Sequence, residues 1–367
     1  MAMYNSLQLW SKENFSSVPK ISGGGLNSHV LFDEIISLEN IFRAWREFQK
    51  DKRNREDVKE FEANAEENIF SLRDDLAIGK YRHGPYEPFW VCDPKRRLIH
   101  KACVRDRLLH HAVFRVLYPI LDRKWIYDSF SSRECKGTHA AMKRFRDFVW
   151  NISRNNTRDV WVLKLDVRKY FDSIDHDILE KLLVKSLLYK KRPLERFFDV
   201  TSALPNEALL PKNNDRLFDL LRDNIQSYST SPNKGIPLGN LTSQLFANVY
   251  LNPLDQYVKR QLSAPYYLRY VDDIIVASGS REFLACLLSD LRSFMVDELQ
   301  LIVHPDKISI SRWDKGIDAL GFISYPTKTV MRASTARRMF KQLECQSEMA
   351  DFDIQLAALY SRVKFER

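Results

Sequence analysis

Two adjacent acids, Asp272 and Asp273, lie between the apolar runs Tyr266-Tyr267-Leu268-Arg269-Tyr270-Val271 and Ile274-Ile275-Val276-Ala277. The runs read as two strands and the acids as the tight turn joining them. Side chains alternate along a strand, so Asp272 falls on the face of Leu268 and Tyr270, and Asp273 on the other. Carboxylates set between apolar strands are costly unless a cation neutralises them, and oxygen ligands suit Mg²⁺. On their own, the two acids read equally as an ordinary hairpin turn. A third acid, Asp166, stands 106 positions before Asp272, in Val160-Trp161-Val162-Leu163-Lys164-Leu165-Asp166-Val167. There Trp161, Leu163, Leu165 and Val167 share one strand face, and Val162, Lys164 and Asp166 the other. If the two strands are neighbours, three acids can hold a pair of Mg²⁺ ions about 4 Å apart. Such a pair activates a hydroxyl and stabilises a leaving pyrophosphate. A solvated acid at a strand end is the competing reading of Asp166.

The elements that must position these acids are legible as periodicity. Ile41, Phe42, Trp45, Phe48, Val58, Phe61, Ile69, Leu72 and Leu76 predict helices over 38–78, ended by Gly79 and Gly84-Pro85. Leu108, Leu109, Ala112, Val113, Val116 and Leu117 predict a buried helix from Arg105 to Leu121. Further helices are expected over 139–152, 241–262 and 282–300, with Ser173 or Asp175 capping one through Leu179, Leu182 and Leu183. Residues 1–30 read as a flexible segment around Ser22-Gly23-Gly24-Gly25. Residues 204–234 read as polar insertion material holding a short helix at Leu217, Leu220 and Leu221.

A chain of 367 residues with 44% hydrophobic composition can bury a sizeable core in two or three subdomains. Its net charge of +9 suits a polyanionic partner. Nine Lys or Arg against two acids between Pro94 and Lys124, interleaved with Leu98, Ile99, Leu108 and Leu109, predict a folded basic surface. Five scattered cysteines lack zinc-ligand spacing and do not complete a disulfide framework. No apolar run reaches membrane-span length and no leader pattern follows Met1, so a cytoplasmic chain without a membrane partner is expected.

Taken together, the motifs of this chain resemble those of the reverse transcriptases. Tyr270-Val271-Asp272-Asp273, Leu165-Asp166-Val167-Arg168-Lys169-Tyr170-Phe171-Asp172, and Gly235-Ile236-Pro237-Leu238-Gly239-Asn240-Leu241-Thr242-Ser243-Gln244 are similar to that family's palm motifs. Pro94-Lys95-Arg96-Arg97-Leu98-Ile99 resembles its fingers motif, and Leu320-Gly321-Phe322 its primer-grip turn. Residues 105–111 and 132–141 resemble the bacterial branch. Lys136-Gly137-Thr138-His139 and the ending Asn240-Leu241-Thr242-Ser243-Gln244 are most like enzymes of diversity-generating retroelements. Group II intron, retron and antiphage-defence reverse transcriptases are neighbouring sets.

The resemblance implies an α+β right-hand polymerase: fingers over 31–155, a palm with an antiparallel sheet over 156–325, and short thumb-like helices over 326–367. The palm would include an insertion at about 200–234. It further implies an RNA template, a nucleic-acid primer, dNTPs, and two Mg²⁺ ions for which Mn²⁺ can substitute, in a bacterial or phage-encoded protein. An accessory protein subunit or a noncoding RNA is the implied further partner. Asp166, Asp272 and Asp273 become the metal ligands, with the carbonyl of Val167. Lys307 becomes the proton donor to pyrophosphate. Lys95 and Arg97 are implied to touch the triphosphate. Phe171 is the implied steric gate, packed beneath the sugar so that a 2′-hydroxyl is refused. Gly239 allows close backbone approach to a base, and Gln244 is grouped with it at the nucleotide. Leu238, Ser243, Arg107, Leu320, Gly321 and Phe322 are placed along template and primer, although Asp106 beside Arg107 also suggests an internal ion pair. Leu238 offers bulk without a hydrogen bond, which in the diversity-generating branch accompanies miscopying of adenine. Two other readings stay open: an RNA-binding scaffold that has lost catalysis, and an RNA-dependent RNA polymerase, which Phe171 disfavours.

Overall fold

The computed structural model describes residues 27–92, 96–188 and 215–346. Lys95 and the Ser22–Gly25 joint therefore lie outside the described residues. Four amphipathic helices open the described chain: α1 (Ser28–Ile36), α2 (Leu38–Gln49), α3 (Glu56–Ala63) and α4 (Ala65–Ala77). Asn27 and Ser37 start the first two by accepting the amides of His29 (3.0 Å) and Asn40 (3.2 Å). A helix thus begins at Ser28, inside the segment expected to be flexible, because Leu31, Phe32, Ile35 and Ile36 have a core to enter.

A small hairpin of β1 (Glu87–Val91) and β2 (Arg97–Lys101) follows, then the long helix α5 (Val104–Asp122). After β3 (Ser129–Phe130) and α6 (Thr138–Ser153) comes the central strand β4 (Trp161–Asp166). The single turn α7 (Tyr170–Ser173) leads to α8 (His176–Leu188), which Asp175 caps by accepting the amides of Asp177 and Ile178 at 3.1 Å each. Helix α9 (Arg216–Gln226) packs against α1 and α8, burying Leu217, Phe218, Leu220 and Leu221, and Ser28 Oγ donates to Asp215 at its start (2.5 Å). This end of the expected insertion is therefore core, for its apolar stripe has the helical period.

Helix α10 (Leu241–Arg260) precedes the hairpin of β5 (Tyr267–Tyr270) and β6 (Asp273–Ser278), then α11 (Arg281–Asp297) and β7 (Ser309–Arg312). The main sheet has the order β3-β5-β6-β4-β7. Its pairs are antiparallel except the edge, where β3 runs parallel to β5, so the expected antiparallel sheet is mixed. Alternation along the strands serves two cores. Leu163, Leu165, Ile274 and Val276 face one set of helices that includes α8, α10 and α11, while Val162, Leu268, Ile275 and Ala277 meet Met142, Phe145 and Val149 of α6. Burial on both faces fixes register, because a one-residue slip would exchange the two sets. A second sheet, β8 (Ile317–Ala319), β9 (Phe322–Ser324) and β10 (Thr329–Met331), comes before α12 (Ala333–Gln346). The segment after Pro326 thus opens with a strand before its helix. Among the described residues, no helix is long and apolar enough to cross a membrane.

Candidate active site

The ends of β4 and β6 lie side by side, and Asp166 pairs in register with Asp273. The turn of the β5–β6 hairpin is Val271-Asp272, closed by the pair Tyr270–Asp273, so Asp273 is the first strand residue and not part of the turn. The three aspartates thus meet at one sheet end, and their charges act on one another. Burial pushes the Asp272 carboxyl up to about 7, with Asp273 and Asp166 adding like-charge repulsion. Burial and Asp166 also raise Asp273, against the pull of Lys164, Lys307 and Arg332.

Lys307 arrives through backbone geometry. The His304 amide donates to the Asp166 carbonyl (2.8 Å), Val303 bridges Val167, and the Arg168 amide donates to Ile302 (2.8 Å). The short 3-10 turn Pro305–Lys307 then places Lys307 Nζ 2.7 Å from Asp166 Oδ2. The donor set, three carboxylates of which Asp272 and Asp273 resist ionisation, fits a hard divalent cation. Among the described residues, no three His, Cys, Asp or Glu side chains already close on one cation-sized point; Lys307 holds Asp166 instead.

The turn carrying Asp272 is strained, since Val271 is β-branched yet has φ +56°. Outliers of this kind persist only where surroundings enforce them. One group that anchors the turn is Arg269, fully buried, which sequence reading passed over. Its guanidinium grips Asp255 through two bonds (2.8 and 2.7 Å) and donates to Ser129 Oγ (3.0 Å), Asn248 Oδ1 (3.2 Å) and the Val271 carbonyl (2.9 Å). Tyr267 also donates to Asp255 (2.6 Å). The available signal was an arginine amid an apolar strand, which must find an acid if buried.

The turn after β4 separates two aromatic neighbours. Tyr170 is buried and donates to the Ala247 carbonyl (2.5 Å), whereas Phe171 stays half-buried. The Phe171 carbonyl accepts from the Ile236 amide (2.9 Å) and that of Ile174 from Gly235 (2.8 Å), so the loop to Gly239 is tied to the Phe171 turn. Gly235 has φ +100°, and a Cβ there would stand 2.6 Å from Thr230 Oγ1 and 3.0 Å from its nitrogen. Gly235→Ala is expected to cost about 1–3 kcal/mol in urea unfolding; an unchanged midpoint would show that the loop can yield.

Leu238 is half-buried and Gly239 exposed at φ +119°. Gln244 accepts from Ser132 Oγ (3.0 Å), joining α10 to the segment before α6. Ser243 is buried, and Thr138 Oγ1 bonds the Tyr270 hydroxyl (3.1 Å). Arg107 pairs with Asp57, not Asp106, and only 14% of its side chain is exposed; Asp106 is taken by Tyr81 (2.8 Å) and the Gly84 amide (2.9 Å). Arg107 is thus engaged by the fold through Asp57, since consecutive helix positions point about 100° apart. Arg97 lies exposed at the start of β2, and the His100 amide of that strand reaches the Leu238 carbonyl (3.4 Å).

Leu320 and Gly321, at φ +51° and +88°, form the two-residue turn between β8 and β9. Both conformations match the primed turn that a tight hairpin requires. Arg332 ties this hairpin down through Asp318 (2.9 Å) and the Gly321 carbonyl (2.9 Å), and Lys164 donates to the Asp318 carbonyl beside the acids. Phe322 packs on His139 (5.6 Å between ring centres), a structural placement for that histidine.

Residues 93–324 match the family described as reverse transcriptase (RNA-dependent DNA polymerase). Protein YkfC of Escherichia coli K12 is 22% identical over 290 residues, covering 68% of this chain and 69% of YkfC. A putative COX1/OXI3 intron 2 protein of Saccharomyces cerevisiae is 22% identical over 273 residues, 59% of this chain and 29% of that one. The solved apo telomerase from Candida tropicalis has 13% identity and a TM-score of 0.49, covering 77% of this chain and 57% of its own. With the family match extending over more than half of its length, the chain belongs to the reverse transcriptases, the RNA-dependent DNA polymerases.

Proposed function

We propose that this chain copies an RNA template into DNA from a nucleic-acid primer, joining dNTPs at the sheet end that holds Asp166, Asp272 and Asp273. The observation that carries this reading is the register of Asp166 against Asp273, with Asp272 in the adjoining turn and Phe171 half-buried nearby. Two Mg²⁺ ions, or Mn²⁺ in their place, would neutralise charge on the transferred phosphoryl group when bound. The three carboxylates and the Val167 carbonyl would hold them. Lys307, released from Asp166 by that binding, would be free to donate a proton to the leaving pyrophosphate. Arg97, with Lys95, would meet the triphosphate, arginine as a fork and lysine as a point charge.

In this reading the fingers take 31–155, the palm 156–325 and the thumb-like segment 326–367, with Leu320, Gly321 and Phe322 beside the primer end. Within the family we assign the chain to the diversity-generating branch, on residues 136–139 and 239–244 and on Leu238. Mutagenic copying there draws on an accessory protein; copying a dedicated noncoding RNA for phage defence is the contrasting role.

Extension of a DNA primer on RNA tests both levels. Wild type is expected to incorporate dNTPs and refuse rNTPs, and Phe171→Ala to admit rNTPs with at least a tenfold change in the kcat/KM ratio. Failure to use dNTPs at all would return the chain to an RNA-binding scaffold. Errors spread evenly over four template bases, not concentrated at adenine, would remove the mutagenic role.

A further inference from the structure

Three aromatic rings outside the acidic centre converge on the Leu238–Asn240 loop. Tyr86 precedes β1, His100 lies in β2, and Tyr228 follows α9. The His100 and Tyr228 rings stand 4.5 Å apart at 54°, and Tyr86 meets them edge-on at 6.4 and 5.9 Å. Tyr86 is fixed: its hydroxyl accepts from Asn240 Nδ2 (2.9 Å) and bonds Ser227 Oγ (2.9 Å) and His83 Nε2 (3.2 Å). The other two rings are only half-buried, so each keeps surface in solvent. His100 is tied by its amide to Leu238, and Tyr228 sits two residues before Thr230, whose hydroxyl donates to the Asp172 carbonyl (2.8 Å).

We propose that His100 and Tyr228 form a stacking platform for the first unpaired base of the RNA template, with Tyr86 as its rigid backing. This rests on the polymerase reading above. The charges favour a base over a phosphate. Asp172 acts on both rings and would repel a phosphate, while burial lowers His100 and keeps the imidazole neutral. The place favours the template strand, since the loop carrying Leu238 is tied to this platform by the His100 amide and to the proposed dNTP site by the Ile236 amide on the Phe171 carbonyl. An unstacked RNA base offers the π-face that aromatic side chains bind without sequence readout.

The test uses a DNA primer annealed to RNA carrying 2-aminopurine at the first unpaired template position. Wild type is expected to quench its fluorescence on binding. Tyr228→Phe should quench equally, and Tyr228→Leu and His100→Leu should lose the quenching and weaken template affinity on the order of tenfold. Normal binding and extension with full quenching by Tyr228→Leu would overturn the platform alone. If wild type binds no primer–template, the polymerase reading falls and the platform with it.

Discussion

Asp272→Asn is expected to abolish primer extension, by about 10³-fold or more, while making the metal-free protein more stable. The two effects have one cause. In the folded chain the Asp272 carboxyl is held up to about 7 by burial and by Asp273 and Asp166. A raised acid favours the proton-bound folded form. Its stability contribution is therefore full below the ordinary carboxylate range and falls as pH rises through about 7. Asp273 is raised as well and acts in the same direction. Metal-free wild type should thus melt lower at pH 8 than at pH 5. The substituted carboxamide carries no charge at either pH, so the variant should lose much of this slope and gain roughly 2–4 kcal/mol at pH 8. Mg²⁺ should stabilise wild type at pH 8 and leave the variant nearly unmoved, because ligands must be deprotonated to bind. Calorimetric scans at both pH values, with and without Mg²⁺, measure this directly. A variant that extends primers normally, or whose melting temperature falls, would remove Asp272 from the metal role.

The second large effect concerns the pair beneath the turn. Arg269→Met or Asp255→Asn alone should cost about 3–5 kcal/mol in urea unfolding, because each leaves the partner's buried charge uncompensated. Asp255 also accepts from Tyr267, and Arg269 ties Ser129, Asn248 and the Val271 carbonyl into one unit. Replacing both partners, Arg269→Met with Asp255→Leu, should cost far less than the sum, since no lone charge remains. Extension activity should not return with stability in the double variant, because the Val271 carbonyl would still lack its donor and the strained turn its anchor. Single variants costing under about 1 kcal/mol would show that the pair is dispensable. A double variant with full activity would show that Val271 holds its conformation unaided.

Much of the positioning was legible in the chain. Apolar periods of two and of 3.6 located β4, β5, β6 and the helices α5, α6, α10 and α11 within a few residues, because burial on defined faces leaves its mark in sequence. The identities of Asp166, Asp272, Asp273 and Phe171 were likewise present as local patterns. Other features were not local. The turn register that moved Asp273 into a strand depends on a strained Val271 conformation, and the Arg269 that anchors the turn is held by Asp255 from a different element. Arg107 could not be assigned to Asp57 from its neighbour Asp106, since partners 50 residues apart are chosen by packing. The burial of α9 was hidden by the polar stretch around it.

Sequence by itself determined which residues could do chemistry and which strands and helices would carry them, since residue type and short-range period set both. Only the tertiary structure decided that three acids share one sheet end, that Lys307 stands on Asp166, and that a buried arginine holds the turn. Those are long-range pairings, fixed by the simultaneous burial of two cores and not by any stretch of chain that can be read alone.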